Sequence, residues 1–402
     1  MTFKTFLRRF VFFPLILFLV VLLLFFSSQS ISAKPISSAG SLVRSVEPGC
    51  FQARYLGSDL FPFYVNGQNF VYYTLSGPSF PIPVDIQNFN VLNLGPDHKP
   101  FTRDDGLNIQ INGSHMPYQL SEEGGSITPK INSKYLVWRD MENFVSVIKV
   151  ANLGVNGLLE QAEVNNAQVI FSDRNHTITS FNLNEDVLTF VYDDSVQYAN
   201  AHNILYCDLS LSASTIGSCY NQNKHSVPLP VRPGVRFSEV YGYKENGNYM
   251  VLWNEYIDRG MLGVFFFSYY FDSSTRTIAQ LGANDNIIKS VTGSFITTHY
   301  HDRFYFYFGP FSSPLVVSSG PSDQYGVGGS PSYEGSPGGN YLAGYYKNNK
   351  GKWFLGTFSG IEVATPFSDY LNNMVFDSSS RGNFVYHTNN RNRLYFTQCY
   401  GF

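Results

Sequence analysis

The chain has 402 residues, a formal net charge of -3, and only 14 % charged against 17 % aromatic residues. No basic stripe runs along it, so nucleic-acid binding lacks its electrostatic footprint. The 36 Phe and 28 Tyr, with 34 Gly and 20 Pro among them, suit pleated, half-buried strands joined by turns and predict an all-β protein.

Residues 1–26 come first in the chain. Lys4, Arg8 and Arg9 precede an apolar run, 10–26, of Phe, Val, Leu and Ile broken only by Pro14. A charge-free run of this kind partitions into a bilayer, and the three cations hold its N-terminal side in the cytoplasm. Its length lies between the about 7–15 apolar residues of a signal-peptide core and the about 20 of a spanning helix. An uncleaved signal-anchor and a cleaved signal peptide both stay open. Small residues at 28–30 and 37–39 offer cleavage sites. In either case the membrane is the partner of residues 10–26. The remainder is expected to be extracellular or lumenal, and secreted if the signal is removed.

Residues 27–47 are small and polar and read as a flexible tether. From 48 to 402 no stretch sustains a helical apolar period. Instead, aromatic-rich runs recur between turn clusters, at 70–73, 135–138, 187–192, 249–253, 304–308, 352–358 and 394–397. The unit is strand, turn, aromatic strand, hairpin, strand, repeating every roughly 40–65 residues, which suggests the four-stranded blades of a β-propeller. About six blades fit. A large β-sandwich or two stacked β-domains would give a similar alternation. The unit is similar to blades of TolB-type and WD-like propellers, although no family signature accompanies it. The Gly/Ser/Pro-rich segment 309–340 is too poor in apolar residues to pack well and reads as a loop between blades. Its Tyr325 and Tyr333 would be the contacts if it closes over a binding face.

Two features agree with export. Asn112 and Asn175 begin N-glycosylation sequons, Asn-Gly-Ser and Asn-His-Thr. Four cysteines form an even set that allows three pairings. The favoured one joins Cys207 to Cys219 across a short loop and Cys50 to Cys399 across the whole β-region.

Chemistry-bearing constellations are sparse. Asp140, Asp193 and Glu255 each end an aromatic strand, so they would share one face if the units are blades. A pair of carboxylates flanking a glycosidic bond is what most glycosidases require; solvated turn acids are the plainer expectation. His299 and His301 share one strand face but lack the further ligands zinc needs. Asp104-Asp105 and Asn284-Asp285-Asn286 lack the spacing of a calcium loop. Trp138, Trp253 and Trp353 could stack on sugars, yet two of them sit inside apolar strand cores and are expected to pack. No metal or cofactor is expected, and no nucleophile, zinc or phosphate motif is present. The expected role is binding of a protein or glycan by loops on a rigid β-scaffold. A carbohydrate-active hydrolase using Asp140, Asp193 and Glu255 is the alternative. The order of a short inner tail, an apolar anchor and a β-rich head also resembles attachment glycoproteins of enveloped viruses, without their helical stalk.

Overall fold

The computed structural model describes residues 49–65, 68–74, 88–112, 129–143, 145–173, 177–193, 202–221, 224–230, 235–300 and 303–316. Beyond these it describes the strands within 333–335, 342–347, 353–357, 362–364, 371–376, 383–388 and 393–400. The apolar run 10–26, the tether 27–47, Asn175, His301 and Tyr325 lie outside the described residues. Among the described residues no helix is long and apolar enough to cross a membrane.

The described residues form seven antiparallel sheets that follow one another along the chain. Sheet 1 is Leu60–Val65, Asn69–Thr74, Asn88–Asn93 and Asn108–Asn112. Sheet 2 is Lys130–Ile131, Tyr135–Glu142, Val145–Asn152 and Gln168–Asp173, with the short helix Gln161–Asn165 ahead of its last strand. Sheet 3 is Thr177–Asn184, Val187–Asp193, His202–Asp208 and His225–Ser226. Sheet 4 is Val235–Glu245, Asn248–Asp258, Val264–Asp272 and Thr277–Gln280. Sheet 5 is Ile287–Thr292, Phe295–Tyr300, Arg303–Phe308 and Leu315–Val316. Sheet 6 is Tyr333–Gly335, Leu342–Lys347, Trp353–Thr357 and Glu362–Ala364. Sheet 7 is Leu371–Phe376, Asn383–Thr388 and Arg393–Tyr400, and its outer edge is supplied from far away in the chain by Gly49–Cys50 and Arg54–Ser58.

Turn chemistry explains why each sheet is a meander of hairpins. Between the first two strands of sheet 4, Asn246 and Gly247 both take positive φ, 51° and 81°. That pair of left-handed residues makes the tight turn whose twist matches the strands it joins. The strands themselves are buried on both faces where sheets stack. Val187, Leu188, Phe190 and Val191 of sheet 3 are all buried, two against sheet 2 and one against sheet 4.

Apolar clusters run from sheet to sheet. Phe89 and Ile109 of sheet 1 meet Trp138 of sheet 2. Ile148 of sheet 2 meets Phe181 and Phe190 of sheet 3. Tyr206 of sheet 3 meets Trp253 of sheet 4, and Leu252 of sheet 4 meets Ile296 of sheet 5. Sheet 6 lies against sheet 5 through their first strands, and Leu394 and Phe396 of sheet 7 pack on Phe70 and Leu92 of sheet 1. The succession therefore closes into a ring, with the first strands innermost. This is the propeller expected from the aromatic repeat, and a sandwich is not.

The ring has seven sheets rather than about six. The aromatic runs occupy the second strand in sheets 1 to 4 but the third strand in sheets 5 to 7. The seven runs nonetheless match the seven sheets one to one, so the loose period and not a missing run gave the lower number. Two short strands, Leu315–Val316 and Tyr333–Gly335, fall within 309–340, which therefore spans the junction of sheets 5 and 6. Tyr333 opens a strand of sheet 6.

Candidate functional site

Because all sheets share one meander, the ring has two distinct ends. At the hairpin end lie the turns between first and second strands and the connections from third to fourth strands. At the loop end lie the connections from second to third strands and the crossings to the next sheet.

The hairpin end is clasped across the axis. The side-chain amide of Asn184, at the end of the innermost strand of sheet 3, donates to Gly293 O at 3.1 Å and accepts from Gly293 N at 3.0 Å. Gly293 is the turn of sheet 5, so the clasp passes over sheet 4. Asn132 in the turn of sheet 2 donates to Glu185 O in the turn of sheet 3 at 2.7 Å, and Lys134 pairs with Asp186 at 2.8 Å. The sheet 4 hairpin leans outward along sheet 3 instead. Gly242 permits that approach, since a Cβ there would collide with Thr189.

Where it leans, Lys244 Nζ and Tyr249 Oη donate to Asp208 Oδ2 at 2.8 and 3.0 Å. Asp208 is 0 % exposed and also accepts from the backbone and hydroxyl of Ser210. Burial alone would raise its carboxyl pKa, but these donors hold it below the ordinary value. Beside it, Cys207 is disulfide-bonded to Cys219, with 4.8 Å between their Cα atoms, as the short-loop pairing predicted.

The loop end is built differently. In five of the seven sheets the innermost strand carries a register shift against the second strand, at Pro62/Tyr64, Ile178/Ser180, Phe237/Val240, Ile288/Ser290 and Leu371/Asn373. A bulge inserts one unpaired residue and re-aims its side chain. In sheet 4 the bulge spans Glu239, and in sheet 5 it is Lys289. Tyr241 Oη donates to Glu239 Oε2 at 2.6 Å and lies 3.0 Å from the Lys289 carbonyl oxygen.

Glu239 keeps intermediate solvent exposure, yet the protein packed around its carboxyl desolvates it and raises its pKa. The Tyr241 hydrogen bond, and then the charges of Lys289 and Lys130, offset part of that rise. Glu239 from sheet 4 and Lys289 from sheet 5 thus sit at neighbouring inner-strand bulges, while Lys130 lies on the inner strand of sheet 2, next to its hairpin turn. Opposite charges on adjacent inner strands suit a ligand carrying both polar and charged groups.

The acids picked out from sequence fall at this same end but in separate settings. Asp140, on the second strand of sheet 2, is paired with Lys149 at 2.7 Å, and Lys149 also reaches Glu142 at 2.7 Å. Glu255, on the second strand of sheet 4, is 1 % exposed and accepts from Trp253 Nε1 at 2.9 Å. It is thus no solvated turn acid. Phe237 and Phe267 flank it in register, and the pair with Trp253 belongs to the packed interior. Asp193 ends the second strand of sheet 3 opposite Thr177 and His202, and its side chain lies outside the described residues.

Asn112 ends the last strand of sheet 1 at the loop end. Its side chain is not described either. Trp138 and Trp253 are buried, as packing required; Trp353 opens a strand of sheet 6. Asp104 and Asp105 are occupied by Thr102, which donates its hydroxyl to Asp104 at 2.6 Å and its N–H to Asp105 at 2.9 Å. Among the described residues no group of three or more His, Cys, Asp or Glu could hold a metal ion.

Sequence reasoning missed Glu239 and Lys289. The available signal was a charge breaking the apolar alternation of an inner strand, as Glu239 does between Ser238 and Val240.

No family model and no curated protein matches the chain. Solved structures do resemble it. The Swd1 β-propeller domain of Myceliophteria thermophila is 10 % identical with a TM-score of 0.46, covering 87 % of this chain and 99 % of its own. The β-propeller domain of the Trilobed protease from Pyrococcus furiosus is 11 % identical with a TM-score of 0.48, covering 88 % and 96 %. The α-L-arabinanase of Penicillium chrysogenum is 12 % identical with a TM-score of 0.41, covering 87 % and 98 %. At such identities no activity passes from one chain to the other. By its own sheet order and ring closure, this chain is a β-propeller, with seven sheets among the described residues.

Proposed function

We propose that the chain is a recognition module held outside the cytosol, tethered by residues 10–26 or secreted, that binds a protein or glycan at the loop end of its ring. One observation carries this reading. Inner-strand bulges set Glu239 and Lys289 out of the ladder on adjacent sheets, away from the Asn184 clasp. Charged residues displaced from the strand ladder are how a rigid scaffold presents a ligand site. The hydrolase alternative loses support from its own acids, since Asp140 is engaged by Lys149 and Glu255 is buried on Trp253.

The test is a glycan array, with candidate protein ligands printed beside the sugars, probed with the full chain and with two variants. Lys289→Ala should lose retention of the bound ligand at least tenfold, while Lys134→Ala, at the hairpin end, retains it. Equal loss in both variants, or cleavage of a bound glycan by the parent chain, would overturn the reading.

A further inference from the structure

The connections from third to fourth strands at the hairpin end share a second property. Leu107 in sheet 1 is 60 % exposed, Val155 in sheet 2 fully exposed, Ile216 in sheet 3 74 % exposed and Phe311 in sheet 5 71 % exposed. Single exposed apolar residues are ordinary on protein surfaces. These four sit on one end of the ring, on connections that the fold holds firmly.

The turn carrying Val155 is fixed by Gly154 N–H to Leu158 O at 3.0 Å and by Gln68, which donates to Asn156 O at 2.7 Å. The Ile216 turn is fixed by the Cys207–Cys219 bridge and by Asp208 N–H to Gly217 O at 2.9 Å. Ser312 accepts from Phe308 N at 2.8 Å and donates to Gly309 O at 2.9 Å, which sets the turn of Phe311. Turns anchored in this way present their apolar tips by construction.

The chain reaches the sheets at this same end. Gly49 pairs with Tyr400, the last residue of the third strand of sheet 7, so the described chain enters the ring at the hairpin end. The apolar run 10–26 precedes that entry in the sequence. The exposed Phe51 stands where the chain arrives. Beside the pairs Lys134–Asp186 and Lys244–Asp208 this end also exposes Glu160, Glu185 and Glu245, an excess of acid that disfavours anionic lipid.

We propose that the hairpin end is the membrane-apposed face of the ring, with Leu107, Val155, Ile216 and Phe311 entering the interfacial zone of a neutral bilayer. The inference rests on the reading of residues 10–26 as a membrane segment. A flexible tether keeps the face at high effective concentration next to the lipid, so shallow insertion of a few apolar tips is enough to hold it. The loop end is then turned away from the membrane, towards ligand.

The full chain, reconstituted into phosphatidylcholine vesicles, tests this. An environment-sensitive label is placed through Ile216→Cys or Phe311→Cys at the hairpin end and through Met261→Cys at the loop end. All three positions are exposed, so labelling spares the sheets. Doxyl-lipid quenching should be at least twofold stronger at 216 and 311 than at 261, with the chain floating with the vesicles. Flotation with equal quenching, or stronger quenching at 261, overturns the proposal and leaves the anchor reading standing. Flotation without quenching, but with self-quenching between labels at 216, means that a second copy covers the face instead of lipid. Failure to float overturns the anchor and the face together.

Discussion

The two ends of the ring use the same strands for opposite purposes. At the hairpin end, polar side chains are spent on one another: Asn184 on Gly293, Asn132 on Glu185, Lys244 and Tyr249 on Asp208. At the loop end, bulges leave Glu239 and Lys289 out of the strand ladder. Satisfied groups give stability, and a desolvated charge gives a site at some cost to it. The contrast predicts that substitutions at the hairpin end destabilise, whereas the right substitution at the loop end stabilises.

The largest effect should come from ring closure. Phe51 N–H donates to Gln398 O at 2.9 Å, which makes the neighbouring Cys50/Cys399 register pair a non-hydrogen-bonded one. Cα atoms of such pairs are about 4.5 Å apart, within disulfide range. We propose a disulfide there. It closes a loop of some hundreds of residues and contributes up to about 5 kcal/mol in the chain-entropy account. Cys50→Ser should therefore lower the melting temperature by several degrees, and more than Cys207→Ser. Peptide mapping without reduction should recover Cys50 joined to Cys399; recovery of Cys50 with Cys207 would refute it.

Asp208→Asn should come next, costing about 3 kcal/mol by chemical denaturation as Lys244 and Tyr249 lose their shared acceptor. The pH dependence has a definite sign. A folded pKa held below its unfolded value of about 3.9 contributes stability above that pH and loses it as acid approaches the folded pKa. The gap between parent and Asp208→Asn should therefore be constant near neutrality and narrow below about pH 4. A gap unchanged by acid would mean that Asp208 acts through packing alone.

Asn184→Ala removes both halves of the axial clasp and should cost about 2 kcal/mol, with faster hydrogen exchange at Gly293. No change in exchange there would show the clasp to be ornamental.

Glu239→Gln should move the other way. A carboxyl whose folded pKa is raised holds its proton more tightly when folded, so stability falls as pH rises from the unfolded value towards the folded one. Removing the charge should stabilise the chain at neutral pH, and the difference should vanish below about pH 4. Destabilisation by Gln at neutral pH would place Glu239 among the structural groups. Asp140→Ala should be smallest, at about half a kcal/mol to one kcal/mol, because the pair with Lys149 is only partly buried and Glu142 remains to receive the cation.

Much of the architecture was legible in the sequence because aromatic strands and Asn/Gly turns act locally. The runs at 70–73 and 249–253 are strands of successive sheets, Trp138 and Trp253 are core, and a separation of 12 residues made Cys207 and Cys219 natural partners. Blade number was legible only by counting the seven aromatic runs, since their spacing is too irregular to divide into the chain length. The site was largely hidden. Nothing in the order Ser238-Glu239-Val240 announces a bulge, because the extra residue exists only relative to the partner strand. Glu255 looked like a turn acid because its burial comes from Phe237 and Phe267, cross-strand neighbours that only the strand register sets beside it.

Sheet 7 also imposes a timetable. Thr397 donates to Phe51 O across 346 residues of chain, and Arg54–Ser58 has no partner until Arg393–Tyr400 exists. During synthesis the first strands to emerge therefore wait, with unpaired edges, while sheets 1 to 6 form between them. Pairing over so long a separation is slow, and a waiting strand edge invites wrong partners. The step that finishes this fold is the meeting of two segments made far apart in time, and folding helpers present during synthesis would act on that interval.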